Sequence, residues 1–321
     1  MKFATMPNGK PDGQLHIISR DLTRAAPAKA ADTLQSALEN WSDIEAALQQ
    51  EYDDVNNGDG DTFDPTQALA PLPRAWQWLD GSDFESHSKL MEIVFGIDPI
   101  ETDGRPLMYQ GVSDRFIGAG EDVPFPSDED GIDFEGEFGI ITGTTPMGTN
   151  IENAENHIRL IVQINDWSLR RLAPVEMKTG FGWVQAKPAC SVAPIAVTPD
   201  ELGSNWRDGR VDLLLTVHFR GEQFGAASGF EMAHGFHGLL VHAAYSRNLP
   251  AGTVIGSGTV SNENYREVGS SCIAERRGIE AVDNGEPSTP FMSFGETVRM
   301  EASLPDGSPL FGAIDQKIVK T

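Results

Sequence analysis

Cysteine is nearly absent. Cys190 and Cys272 are the only two in 321 residues, and neither belongs to a Cys-x-x-Cys pair or to a Cys/His zinc spacing. That excludes a disulfide scaffold and leaves two reduced thiols packed as small residues. Long hydrophobic runs are also missing. No apolar stretch approaches the ~20 residues a membrane helix needs, and residues 1–13 lack the apolar core of a secretory signal. These absences predict a cytoplasmic chain with no membrane partner. Positive charge is scarce as well: 24 Lys and Arg stand against 48 Asp and Glu, for a net charge of −24. Such a chain repels phosphate backbones, so nucleic acid is not an expected partner. An anionic substrate would need local cations, either a metal or a few placed Arg and Lys. No Walker A or Gly-x-Ser-x-Gly sequence occurs, Gly118-Ala119-Gly120 does not continue into a dinucleotide fingerprint, and no solenoid repeat is present.

What is there reads as an ordinary globular protein, 39% hydrophobic and 22% charged. Weak alternation through Phe3 and then Leu15, Ile17 and Ile18 predicts a small hairpin in residues 1–25. Ala30, Leu34, Leu38, Trp41, Ile44 and Leu48 recur at spacings of three and four, which predicts an amphipathic helix over 28–50. The acidic stretch 53–61 lacks the full set of calcium-loop ligands and reads as a solvated loop. Ala70-Pro71-Leu72-Pro73-Arg74 reads as a linker stiffened by its prolines. It divides a small unit, residues 1–72, from a main domain, residues 73–321. Beyond it, β-type runs at 131–142, 195–198, 211–219, 253–259 and 291–302 outnumber helical patterns at 84–94, 151–164 and 232–247. This predicts a mainly β or α+β domain without regular β-α-β alternation.

The sharpest local feature is Asp133-Phe134-Glu135-Gly136-Glu137-Phe138. On a strand, Ile132, Phe134 and Phe138 share one face and Asp133, Glu135 and Glu137 the other. Two glutamates roughly 7 Å apart at Cα can bind one hard cation from the same side; the alternative is a charged solvent face. A third ligand is offered by Asp166, in Asn165-Asp166-Trp167-Ser168-Leu169-Arg170, where Arg170 could hold an anionic group beside the metal. Lys187, in an apolar glycine-rich stretch, would be a useful cation for a developing enolate, and Cys190 follows it closely enough to share a pocket. Asp80 and His87 stand seven residues apart after two tryptophans, and histidine is the usual general base near neutral pH. His234, His237 and His242 lack a His-Glu-x-x-His spacing and read as ordinary helix residues packed through Phe236, Leu240 and Val241.

Together with Gly256-Ser257-Gly258-Thr259-Val260-Ser261, these segments resemble the fumarylacetoacetate hydrolase family across residues 74–315. The resemblance implies a β-roll with mixed β-sheets preceded by a small SH3-like barrel, and a homodimer. It implies a divalent metal (Mg²⁺ or Ca²⁺, or Mn²⁺) held by Asp80, Glu135, Glu137 and Asp166. The catalytic histidine falls on His87, its orienting glutamate on Glu275, and the cations on Arg170 and Lys187. Substrate contacts fall on Thr259, Ser191 and Tyr109. The pattern departs at Ala173 and Met177, where glutamine and tyrosine substrate contacts would stand, and at Gly96, where an arginine would.

The implied chemistry is hydrolysis of a carbon–carbon bond in a 1,3-diketo acid, fumarylacetoacetate or an acylpyruvate, in aromatic-compound or tyrosine catabolism. His87, oriented by Glu275, would take a proton from the attacking water. Similar proteins act as oxaloacetate decarboxylases or as keto-acid isomerases, hydratases or lyases, and decarboxylation needs no water; failure of His87 and Glu275 to meet in space would favour it. A non-catalytic acidic metal binder is the remaining alternative, one that gives no reason for Lys187 and Arg170 beside the carboxylates.

Overall fold

The structure, a computed structural model, describes residues 1–96, 98 and 101–321. Its strands fall into mixed sheets, as the resemblance implies, and strands outnumber helices, as the sequence pattern predicts. The largest contains twelve strands among the described residues. At its centre Gly136–Thr142 pairs antiparallel with Ile158–Asn165 on one side and with Thr253–Gly256 on the other. Gln77–Gly81 lies parallel to Thr253–Gly256, and Met108–Gly111 follows antiparallel. A second sheet of five strands includes Leu214–Phe219, Glu222–Ser228, Thr297–Glu301 and Ile314–Lys320. Phe134, Phe138, Ile140, Leu215, Val217 and Met300 join both sheets in one buried cluster.

The N-terminal hairpin is present, with Lys2–Met6 against Gln14–Ile18. Its strands do not close into the small barrel that the resemblance implied. Phe3 pairs with Ala196, so the hairpin continues the main sheet, and no barrel is formed among the described residues. Residues 28–50 hold two helices, not one. Thr33 caps Leu34–Glu39 by a reciprocal capping box with Ser36, and Asn40 separates it from Trp41–Asn56. Leu34, Leu38, Trp41, Leu48, Tyr52 and Val55 pack on Phe3, Leu15 and Ile17. Residues 70–73 are tied down: the Thr5 hydroxyl donates to the Pro71 carbonyl at 2.6 Å and the Phe116 N–H to Pro73 at 2.8 Å.

The helix expected over 151–164 is instead a 3₁₀ segment, Ile151–His157, and then the strand Ile158–Asn165. Leu160, Ile161, Val162 and Ile164 are buried on both faces of that strand, and a short unbroken apolar run has no period that separates strand from helix. The helix expected over 232–247 is the shorter Gly235–Ala243. A further helix, Ile273–Asn284, escaped the periodicity reading. No helix among the described residues is long and apolar enough to cross a membrane.

One buried cation lies on the N-terminal strand, outside the acidic cluster of the central strands. Lys2 is 1% exposed, and its Nζ donates to the carbonyls of Arg20 and Pro309, both at 2.7 Å. Burial, opposed by Glu201, lowers its pKa from 10.5 to about 8. Between those values the unfolded chain binds more protons than the folded one, so unfolding free energy rises with pH across the window. Denaturant titrations of wild type and Lys2→Met are expected to show a gain of about 2 kcal/mol for wild type alone between about pH 7.5 and about pH 9.5. An identical slope in both proteins would remove Lys2 as its source.

Candidate metal centre

The central strands place the acidic residues by register. Asp80 lies opposite Gly256 on one neighbour and Tyr109 on the other. Gly139 also lies opposite Gly256, which brings Glu137, two residues earlier on its strand, to the same face. Asp166 follows directly on Ile158–Asn165. Asp80, Glu137 and Asp166, all buried, each offer one oxygen within 4.8 Å of the others. Gly256 forms a bare backbone wall beside them. A Cβ there would fall 2.4 Å from Asp80 Oδ1 and 2.9 Å from Glu137 Oε2, so no side chain is accommodated.

Burial and then Asp166 push the Asp80 carboxyl well above its ordinary range, and burial, Asp80 and Asp166 do the same for Glu137. Gly258 N–H donates to Asp80 Oδ1 at 3.1 Å, but both oxygens of Glu137 are buried with no hydrogen-bond partner among the described residues. A set of three buried carboxylates with two oxygens unclaimed fits a hard divalent cation, which removes the mutual repulsion and fills the lone pairs.

Glu135 is placed differently from the expectation of two glutamates on one strand face. The strand is interrupted at Phe134 and Glu135, between Ile132–Asp133, which pairs with Ser168–Leu169, and Gly136–Thr142 in the main sheet. Nor is there a solvent face, since residues 131–143 are all buried. Glu135 Oε1 meets Ser168 Oγ at 2.5 Å, Lys187 Nζ at 2.8 Å and Arg170 Nη2 at 2.8 Å, and Oε2 accepts from Thr259 Oγ1 at 2.6 Å. Burial opposes its charge, but Arg170 and Lys187 outweigh burial and hold its pKa below the ordinary range. Glu135 thus adjoins the trio through Lys187, whose Nζ also reaches Asp166 Oδ2 at 2.5 Å. Asp166 and Glu135 likewise outweigh burial on Lys187 and keep it cationic.

Three further donors and a buried carboxylate complete the surroundings. The Tyr109 hydroxyl donates to Asp166 Oδ2 at 2.6 Å, and Cys190 Sγ donates to Asp166 Oδ1 at 2.9 Å. Burial and then Asp166 raise the pKa of both, so both stay protonated as donors. Ser191 turns elsewhere: its Oγ accepts from the Trp167 indole N–H at 2.8 Å. Arg170 Nε donates to Asp133 Oδ2 at 2.8 Å. Burial raises the Asp133 pKa against the pull of Arg170.

His87 enters from the first turn of helix Glu85–Phe95 and Glu275 from the first turn of Ile273–Asn284. Nδ1 of His87 lies 3.8 Å from Glu275 Oε2, with the imidazole 13% exposed and Glu275 fully buried. Neither of these two atoms has a hydrogen-bond partner among the described residues. Glu275 Oε1 is fixed by Ser261 Oγ at 2.5 Å, and Ser86 Oγ donates to Ser261 at 2.7 Å. The sequence reading missed Ser168 and Ser261, although both lie inside motifs it quoted; alternation cannot assign a hydroxyl a partner from another strand. His234, His237 and His242 form no metal-ligand cluster among the described residues. His234 pairs with Asp83 at 2.6 Å and His237 with Glu155.

Residues 78–319 match the family described as Fumarylacetoacetate (FAA) hydrolase C-terminal, and residues 1–74 match Fumarylacetoacetase N-terminal domain 2. No curated protein matches the sequence. Among solved structures, the fold is similar to maleylpyruvate hydrolase from Sphingobium sp. SYK-6 in complex with manganese (II) ion and pyruvate, at 14% identity and TM-score 0.67, covering 100% of this chain and 99% of that one. It is similar to 5-carboxymethyl-2-hydroxymuconate delta-isomerase from Mycobacterium smegmatis at 17% identity and TM-score 0.60, with 100% and 99% covered. Fumarylpyruvate hydrolase from Pseudomonas aeruginosa, in complex with Mn²⁺ and pyruvate, matches at 14% identity and TM-score 0.56, over 79% and 92%. At these identities the likeness establishes the fold.

Proposed function

The chain belongs to the fumarylacetoacetate hydrolase family, and on that premise we propose that it is a metal-dependent hydrolase cleaving a carbon–carbon bond of an acylpyruvate. The observation that carries this reading is the approach of His87 to Glu275 in a chain that also gathers the carboxylate trio. A decarboxylase has no use for a water-activating pair, whereas a hydrolase requires one.

Asp80, Glu137 and Asp166 would hold the divalent ion, with Glu135 joining them when substrate or metal draws Lys187 away. When bound, the ion would supply Lewis acidity toward the oxygens of the keto acid and offset negative charge. The chain's own residues do the rest. Glu275 faces Nδ1 of His87 and favours a proton there, which leaves Nε2 free to take a proton from water. Lys187 and Arg170 offset negative charge as it develops on substrate oxygens. Tyr109 and Thr259 hold Asp166 and Glu135 in place.

The acyl group is read from the segment 175–184, which reaches the site through Trp183. Trp183 stands edge-on to Tyr109, with ring centroids 6.1 Å apart. On the same segment, Val175, Met177, Phe181 and Val184 are exposed. Glu176 anchors this strip by accepting the backbone N–H groups of Val184, Gln185 and Ala186. An apolar strip suits an uncharged acyl chain better than the second carboxylate of a fumaryl or maleyl group.

The test is a panel of acylpyruvates, fumarylacetoacetate and oxaloacetate, assayed with Mg²⁺, Mn²⁺ and Ca²⁺. Pyruvate plus the free acid, released fastest from a neutral acylpyruvate, is the expected result. Pyruvate plus carbon dioxide from oxaloacetate would assign a decarboxylase, and rearranged keto acid without cleavage would assign an isomerase.

A further inference from the structure

We infer that Asp133 is a positioning residue that locks the first turn of helix Ile273–Asn284, and with it Glu275, to the side chain of Arg170; the inference rests on the hydrolase reading above. The carboxylate is fully buried and serves three donors from two distant parts of the chain. Oδ1 accepts from the Ile273 N–H at 2.7 Å, and Oδ2 accepts from the Ala274 N–H at 2.9 Å and from Arg170 Nε at 2.8 Å.

The backbone around Asp133 is held between the same two segments. Asp133 pairs with Ser168 on one side. On the other, Glu135 bridges Cys272 and Gly136 N–H donates to the Ser271 carbonyl at 2.9 Å. The first N–H groups of a helix have no partner within it and carry partial positive charge, so a carboxylate placed there is stabilising. The local cap is Cys272, whose Sγ accepts from the Glu275 N–H at 3.2 Å. A thiol is a weak acceptor, so the stronger part of the capping comes from Asp133. Glu275 is the third residue of that helix. Its approach to His87 is therefore set by a turn that Asp133 anchors, and the same carboxylate orients the guanidinium that meets Glu135.

The test uses the full-length chain as wild type, Asp133→Asn, Glu275→Gln and the double variant. An amide offers a single acceptor oxygen, and its NH₂ must face one of the three donors, so at least one donor loses its acceptor. Amide exchange at Ile273 or Ala274 is expected to speed by about tenfold or more in Asp133→Asn. Turnover is expected to fall by ~10²-fold, the scale of a small misplacement of reacting groups, while Mn²⁺ affinity by calorimetry stays within about threefold of wild type. In the double variant, kcat is expected no more than about threefold below Glu275→Gln alone, because both changes act through one element. Losses that multiply, wild-type turnover in Asp133→Asn, or Mn²⁺ affinity falling along with kcat would each overturn the inference. A wild type that turns over no diketo or keto acid would end the hydrolase reading, and unchanged exchange at Ile273 and Ala274 would still end this one.

Discussion

His87→Ala is expected to lower turnover of the active acylpyruvate by ~10²–10⁴-fold, with Mn²⁺ affinity left close to that of wild type. The two effects separate because His87 stands outside the trio. Among the described residues its ion-pair partner is Glu275, at 3.8 Å, whereas unclaimed oxygens belong to Glu137. Removing the imidazole deprives water of its proton acceptor without touching a carboxylate of the trio. It also leaves the buried Glu275 facing a void, which costs stability, so thermal unfolding must accompany the assay. The decisive measurement is steady-state turnover beside calorimetric Mn²⁺ binding on the same preparation. Wild-type turnover in the variant would dismiss His87 as the base, and lost Mn²⁺ binding would place it at the metal.

Pattern and resemblance together made the fold class legible in the sequence, and the structure brings three of the four carboxylates they name into one cluster. Glu137 and Asp166 could be singled out from local pattern, whereas Asp80 is named as a ligand only by the family resemblance. The role of Glu135 could not be read that way. Alternation assumes an unbroken strand, and the chain changes sheets between Asp133 and Gly136, which turns Glu135 toward Lys187 and Arg170. The strand Ile158–Asn165 was legible as buried but not as β, since a run apolar on both faces has no period of two to detect. The continuation of the N-terminal hairpin into the main sheet rests on pairing between Phe3 and Ala196. That contact joins residues nearly two hundred positions apart, and nothing in either segment announces the other.

Glu137→Gln is expected to move binding and stability in opposite directions. Both Glu137 oxygens are buried without a hydrogen-bond partner among the described residues. Burial and then Asp80 and Asp166 push the carboxyl well above its ordinary range. In the absence of a cation, the chain therefore carries a group whose charged form nothing local compensates. An amide of the same shape removes the cost of either protonating that carboxyl or burying its charge, and the metal-free variant is expected to gain about 1–3 kcal/mol over metal-free wild type. The same change deletes an anionic ligand. Changes merely around a metal's ligands cost 10–100-fold in affinity, so Mn²⁺ binding is expected to weaken by at least ~100-fold and turnover to be lost with it. Thermal unfolding of chelator-treated protein, with and without added Mn²⁺, reads both effects together. Wild type should rise in Tm on adding Mn²⁺, since an ion that binds only the folded state stabilises it; the variant should start higher and stay there. Mn²⁺ stabilisation equal to wild type would take Glu137 out of the metal site. A lower starting Tm would mean that its carboxylate is compensated by something other than a cation. A variant that merely misfolded would lose stability and binding together, so the opposed signs distinguish a ligand from a structural residue.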